Sequence, residues 1–221
     1  MKPELLILGD SHAIALKGGA EMLGIGVEAL HFSGSQWHDG NFAYGENGFE
    51  PRGVRAGLVQ LQALRDKLGV QDVFACGVPV ISTMGFHLGR LVPPFGWAGH
   101  LVAADPSGAG LVASMALAED YVAHYRARHF RVARRLGRAA ARLVIVAPPP
   151  AFERPNYDAF RAIVMRQMAA AGLTVYDPAP DLLPEGGTLP AELLMPDGVH
   201  ATAECGAKVL AAMRDRGLLT A

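Results

Sequence analysis

Cysteine and asparagine are scarce in this chain: two cysteines and three asparagines among 221 residues. Cys76 and Cys205 cannot build a disulfide framework, and neither belongs to a Cys-x-x-Cys pair, a usage consistent with a reducing compartment. Charge of one sign is lacking too. Twenty basic and 21 acidic residues leave a net charge of −1, which gives no global attraction to nucleic acid or to an anionic membrane. Long apolar runs are also missing. The N-terminus, MKPELLILGD, has one lysine and too short an apolar stretch for a signal peptide. The most apolar later window, LVAADPSGAGLVASMALA, is broken by Asp105 and Pro106, so no membrane span is expected. A cytoplasmic location is the expectation. No Walker-type loop and no Gly-x-Gly-x-x-Gly occurs, which removes the usual signals for nucleotide binding, and no Gly-x-Ser-x-Gly elbow is present.

With half its residues hydrophobic and 19% charged, the chain is globular and large enough for one domain with a real core, residues 1–221. Short apolar runs at 4–9, 26–32, 72–76, 142–147 and 173–176 predict strands. Helical patterns fall between and after them, at about 12–23, 54–68, 110–140, 157–171 and 202–216. This alternation predicts a three-layer α/β/α domain around a mainly parallel five-stranded sheet. Two glycine-rich stretches, 33–53 and 77–110, depart from the pattern. They carry Trp37, Phe42, Tyr44, Phe86, Phe95 and Trp97 and are expected to wall a cleft, either stacking on sugar rings or packing the loops down.

The first strand runs into Gly9, Asp10, Ser11 and His12, and just before the last helix stand Asp197 and His200. A serine needs a base to act as a nucleophile near neutral pH, and the base needs a third group to hold its tautomer. Ser11, His200 and Asp197 supply those three roles. Each also has a plainer reading: Ser11 as a helix N-cap, Asp197 as a turn former before Gly198, His200 as a loop histidine. The nucleophile reading prevails because all three occur together, with His12 read as a packing or orienting residue.

A strand ending in Gly9-Asp10-Ser11, with Asp197-Gly198-Val199-His200 before a C-terminal helix, resembles the SGNH (GDSL-type) hydrolases across the whole chain. The His12 variant is similar to members associated with acylation or deacylation of glycans. The resemblance implies a flavodoxin-like sheet and ester chemistry through an acyl-serine, with a small or sugar-linked ester as substrate and no cofactor. It also implies oxyanion donors from the N–H groups of Ser11 and Gly34, and from an asparagine in a Gly-x-Asn block after the third strand. With the third strand at 72–76, that block reads Gly77-Val78-Pro79 and has no asparagine. Asn41 or Asn47, and after them His87, are the expected substitutes. An acyltransferase acting on a glycan hydroxyl, or a catalytically silent binding protein, are the alternatives.

The remaining histidines show no metal-ligand spacing, and no metal site is expected. The arginine-rich stretch 121–142 reads as the solvated face of an amphipathic helix. Oligomeric state is not encoded in any pattern found.

Overall fold

The computed structural model describes residues 2–33, 35–92, 100–103, 111–151, 153 and 156–220. In chain order its strands are β1 (Leu5–Gly9), β2 (Val27–His31), β3 (Phe42–Gly45), β4 (Gly48–Pro51), β5 (Pro79–Ser82), β6 (His100–Ala103), β7 (Leu111–Ser114), β8 (Arg142–Val146) and β9 (Thr174–Tyr176). Five of them form the central sheet in the order β2-β1-β5-β8-β9, and every neighbouring pair is parallel. Counting only these five, the order is 2-1-3-4-5, the doubly wound arrangement in which the chain reverses its direction of build beside β1.

Both faces of the sheet are buried, and β1 shows how. Leu5 and Ile7 pack with Ala13, Leu16 and Ala20 of α1 (His12–Met22) and with Val209, Leu210 and Met213 of the C-terminal helix, Ala203–Asp215. Leu6 and Leu8 point to the opposite face, the period of two that a strand imposes. That face belongs to a helix over Arg55–Leu68, a long helix over Met115–Ala139 and a helix over Tyr157–Ala170. With the four-residue turns Ser35–His38 and Ala179–Leu182, the helices are numbered α1 to α7 in chain order. No helix among the described residues is long and apolar enough to cross a membrane.

The third strand is not at 72–76. That run is a 3₁₀ turn over Val73–Ala75, entered through the Asp72 carboxylate, which accepts from the Phe74 N–H at 3.1 Å. Its apolar residues Val73 and Phe74 are buried, so burial without period-two pairing produced the strand-like signature. The sheet strand is β5, three residues further on, and its proline stands at the first position, where a missing N–H costs least. The helix expected at 110–140 is likewise shortened at its start, because 111–114 pairs with β6 in a two-stranded parallel ribbon. The stretch 33–53 holds the β3–β4 hairpin. Trp37, Phe42, Tyr44 and Phe86 are buried, so they pack the loops down. Phe95 and Trp97 lie outside the described residues.

The arginine-rich helix α4 is solvated over most of its polar face, with Arg128, Arg131, Arg134, Arg135 and Arg138 exposed. Arg126 is the exception at 2% exposure. Its guanidinium donates to the carbonyls of Gly85 (2.9 Å), His38 (2.9 Å) and His87 (3.0 Å). One buried cation thereby ties the loop after β2 to the loop after β5.

Candidate active site

Glycine is required at position 9 because β5 continues beside it. A Cβ there would lie 2.1 Å from the Thr83 hydroxyl. The same hydroxyl accepts from the Asp10 N–H at 3.2 Å and donates to the Asp10 carboxylate at 3.0 Å. That carboxylate also accepts from the His12 N–H at 3.1 Å, so Asp10 caps α1 and is buried doing so. The capping role in the plainer reading of Ser11 is thus filled by its neighbour. Ser11 makes no side-chain cap bond. Its Oγ lies 2.9 Å from His200 Nε2.

His200 and Asp197 occupy a tight turn closed by an antiparallel bridge between Leu194 and Ala201. Within it the Asp197 Oδ1 accepts from the N–H groups of Val199 and His200, both at 2.9 Å, and Oδ2 lies 2.6 Å from His200 Nδ1. The His200 backbone N–H and then its imidazole hold the Asp197 carboxyl well below the usual carboxylate range. An ionised carboxylate on Nδ1 fixes the tautomer with its proton on Nδ1 and its lone pair on Nε2, facing Ser11. The structure therefore brings the three residues into one hydrogen-bonded line at the carboxyl end of β1. The Asp197 and His200 side chains remain 50% and 39% exposed, so water reaches them.

Relocating the third strand also relocates the block that follows it. After β5 the chain reads Thr83-Met84-Gly85-Phe86-His87, and Gly85 turns with φ of +95°, which favours glycine. Gly85-Phe86-His87 thus follows the third sheet strand, where the resemblance implied a Gly-x-Asn block, and carries histidine at its third position. Asn41 is elsewhere, its Oδ1 facing Arg128 at 3.5 Å, and Asn47 pairs with Gln71 at 3.1 Å. Gly34 lies outside the described residues.

Sequence spacing missed one cluster. Asp10, His38 and His87 each bring one ligand-type atom within 4.8 Å of the others. The two imidazoles lie face to face, centroids 3.4 Å apart and planes 12° apart. An ion binds an imidazole along the nitrogen lone pair, in the plane of the ring. Two nearly parallel planes at that separation do not share such a point, so the cluster is a stacked pair beside a carboxylate and does not have the form of a ligand set. Burial, and then His38, push His87 down to about 4, and burial lowers His38 as well against the opposing pull of Asp10. Both rings are neutral at pH 7 and each keeps one N–H to donate.

A cleft of about 150 Å³ opens beside this group. His12 and Val199, the chain neighbours of Ser11 and His200, line it together with His87, and Phe86, Leu88 and the run Pro148–Pro150 supply apolar wall.

No protein-family model and no curated protein sequence matches this chain. Among solved structures it is similar to TesA, with 17% identity over 96% of each chain and a TM-score of 0.45. It is also similar to a GDSL-like lipase from Bacteroides thetaiotaomicron VPI-5482, at 13% identity over 98% of this chain and 88% of that one, TM-score 0.46. A third likeness is to Axe2, an acetylxylan esterase from Geobacillus stearothermophilus, at 14% identity over 100% and 98% of the two chains, TM-score 0.45.

Proposed function

We propose that the protein is a serine ester hydrolase working through an acyl-serine. The observation that carries this reading is the line Ser11 Oγ–His200 Nε2 (2.9 Å) and His200 Nδ1–Asp197 Oδ2 (2.6 Å). Ser11 Oγ attacks the acyl carbon while His200 Nε2 takes its proton. The imidazolium, stabilised by Asp197, then protonates the departing alcohol. Water enters, gives a proton to Nε2 and attacks the acyl-serine, releasing the acid and restoring Ser11.

Negative charge develops on the carbonyl oxygen in both steps. The Ser11 N–H, at the start of α1 where the helix dipole is positive, is one proposed donor, and the Gly34 N–H is a second. The third is the imidazole N–H of His87, which takes the role the motif assigns to asparagine. A neutral stacked ring suits that role because it donates without carrying a buried charge. The exposure of His200 and Asp197 favours hydrolysis over transfer to a glycan hydroxyl, since transfer requires water to be kept out.

Labelling with a fluorophosphonate probe, alongside turnover of p-nitrophenyl esters, tests the reading. Labelling should occur at Ser11 and vanish in Ser11→Ala, together with turnover. An unlabelled wild type that is inert to acetyl through octanoyl esters, with or without a glycan acceptor, would leave a binding protein instead. Acyl-glycan formed in preference to free acid would assign the transferase.

A further inference from the structure

The cleft beside the triad has a composition that the hydrolase reading does not explain by itself. A site built for a sugar would line its walls with hydrogen-bonding groups. Here most of the wall is apolar, from Phe86, Leu88 and the run Pro148–Pro150, whose prolines offer no N–H, and the polar groups His12, His87, Tyr157, Asp158 and Arg161 are the minority of the lining. The arginine of the cleft, Arg161, is already engaged. Its Nε donates to the Pro148 carbonyl at 2.8 Å, and its two terminal nitrogens pair with the Asp177 carboxylate. It therefore offers no spare cation to an anionic ligand.

We infer that this cleft holds the acyl chain of the substrate, that it fits chains of about four to six carbons, and that Gly89 sets the limit. The inference rests on the hydrolase reading and specifies its substrate. An apolar cavity of about 150 Å³ accommodates a benzene-sized group, or roughly six carbons. The acyl half is assigned to the cleft because it stays bound through both steps. The alcohol must leave, and water must take its place, on the side of His200 open to solvent.

Gly89 lies in a short 3₁₀ turn, Leu88–Arg90, that forms part of the lining. A Cβ built there would stand 3.7 Å from His87 Nε2 and 3.7 Å from the Tyr157 hydroxyl, at ordinary contact distance from two other cleft residues. A side chain at 89 thus grows into the cleft without striking the backbone. The absence of one leaves that space to the ligand.

The test is a series of p-nitrophenyl esters from acetyl to dodecanoyl, measured on wild type, Gly89→Ala and Gly89→Leu. Wild-type kcat/KM should rise about fourfold per methylene up to butanoyl or hexanoyl and fall beyond it. Gly89→Leu should lower the hexanoyl-to-acetyl ratio of kcat/KM at least tenfold, with Gly89→Ala between. A parallel series of acetate esters with growing alcohols should be flat. Should Ser11 label and acetyl turn over while the acyl profile stays flat, or should the alcohol series carry the length preference, the acyl assignment fails and the hydrolase reading stands. Equal loss on all acyl lengths in both Gly89 variants would remove Gly89 from the cleft. If Ser11 does not label and no ester turns over, both readings fall together.

Discussion

Gly206 lies directly over the Ala15 carbonyl: a Cβ on Gly206 would stand 1.9 Å from that oxygen. Gly19 is equally tight, its absent Cβ 2.2 Å from the Ala207 nitrogen. The first and last helices therefore pack backbone to backbone. This contact brings the start of α1, where Ser11 stands, to the start of α7, which follows His200. The Ser11–His200 distance and the helix contact are one structural fact.

Gly206→Val should accordingly act on stability and activity together. Forcing a side chain between two backbones costs about 1–3 kcal/mol or more. Thermal unfolding should show a lowered Tm, and ester turnover should fall even below that Tm as Ser11 and His200 separate. An unchanged Tm would mean that the helices do not pack as described.

Asp197→Asn leaves a side chain that can still face His200 but removes the charge that holds the tautomer. Turnover should fall by about 10³–10⁴-fold, with fluorophosphonate labelling slowed but present. Because the Asp197 carboxyl titrates well below the usual range, the acid limb of the wild-type pH–rate profile should report the imidazole and not this carboxylate. A profile that is flat from pH 5 to 9 would contradict a histidine base.

If His87 is the oxyanion donor proposed above, His87→Ala should reduce kcat by about 10²–10³-fold with a smaller change in KM, because such a donor acts mainly in the transition state. His87→Asn should recover part of the loss by restoring a side-chain N–H. Wild-type turnover in His87→Ala would show that the oxyanion is held without it.

Arg126→Lys tests the buried clamp. A single ammonium cannot reach the three carbonyls of Gly85, His38 and His87 in the geometry of a guanidinium fork; the His87 carbonyl keeps the Arg90 N–H at 3.1 Å, but leaving the buried Gly85 carbonyl unpaired costs about 1–3 kcal/mol. Denaturant unfolding should show a clear loss of stability, and the folded fraction should turn over esters more slowly because the His38–His87 stack has lost its support. Arg134→Lys, on the solvated face, serves as the control and should change neither.

Stability should fall as pH drops from about 7 to about 4. His38, His87 and His129 are all lowered in the folded protein, His87 to about 4, with burial the first cause in each case. In the unfolded chain each titrates near 6.5. Between those values the unfolded chain binds protons that the folded one does not, so stability is present above the unfolded pKa and is lost as pH falls. Urea midpoints at pH 7.5 and 5 measure the slope. His129→Phe should flatten it, since that ring is buried against Phe42 and would no longer titrate.

The order of strands and helices was legible along most of the chain because two-residue and 3.6-residue periods are local properties. Ser11, His200 and Asp197 could be singled out in the same way, since hydroxyl, imidazole and carboxylate at loop–helix junctions have few plain uses in combination. The run 72–76 misled because burial of Val73 and Phe74 in a turn leaves the same apolar trace as a strand; only pairing with β1 and β8 identifies Pro79–Ser82 as the true one. That shift moved the block after it from Gly77 to Gly85-Phe86-His87. Arg126 read as one more solvated arginine because sequence shows a helix face but not what comes to rest on it. The stacking of His38 on His87, the volume of the cleft and the space left by Gly89 were decided by tertiary structure alone. Each depends on segments far apart in the chain meeting at the carboxyl edge of the sheet, and such meetings are set by packing, which no local pattern of residues records.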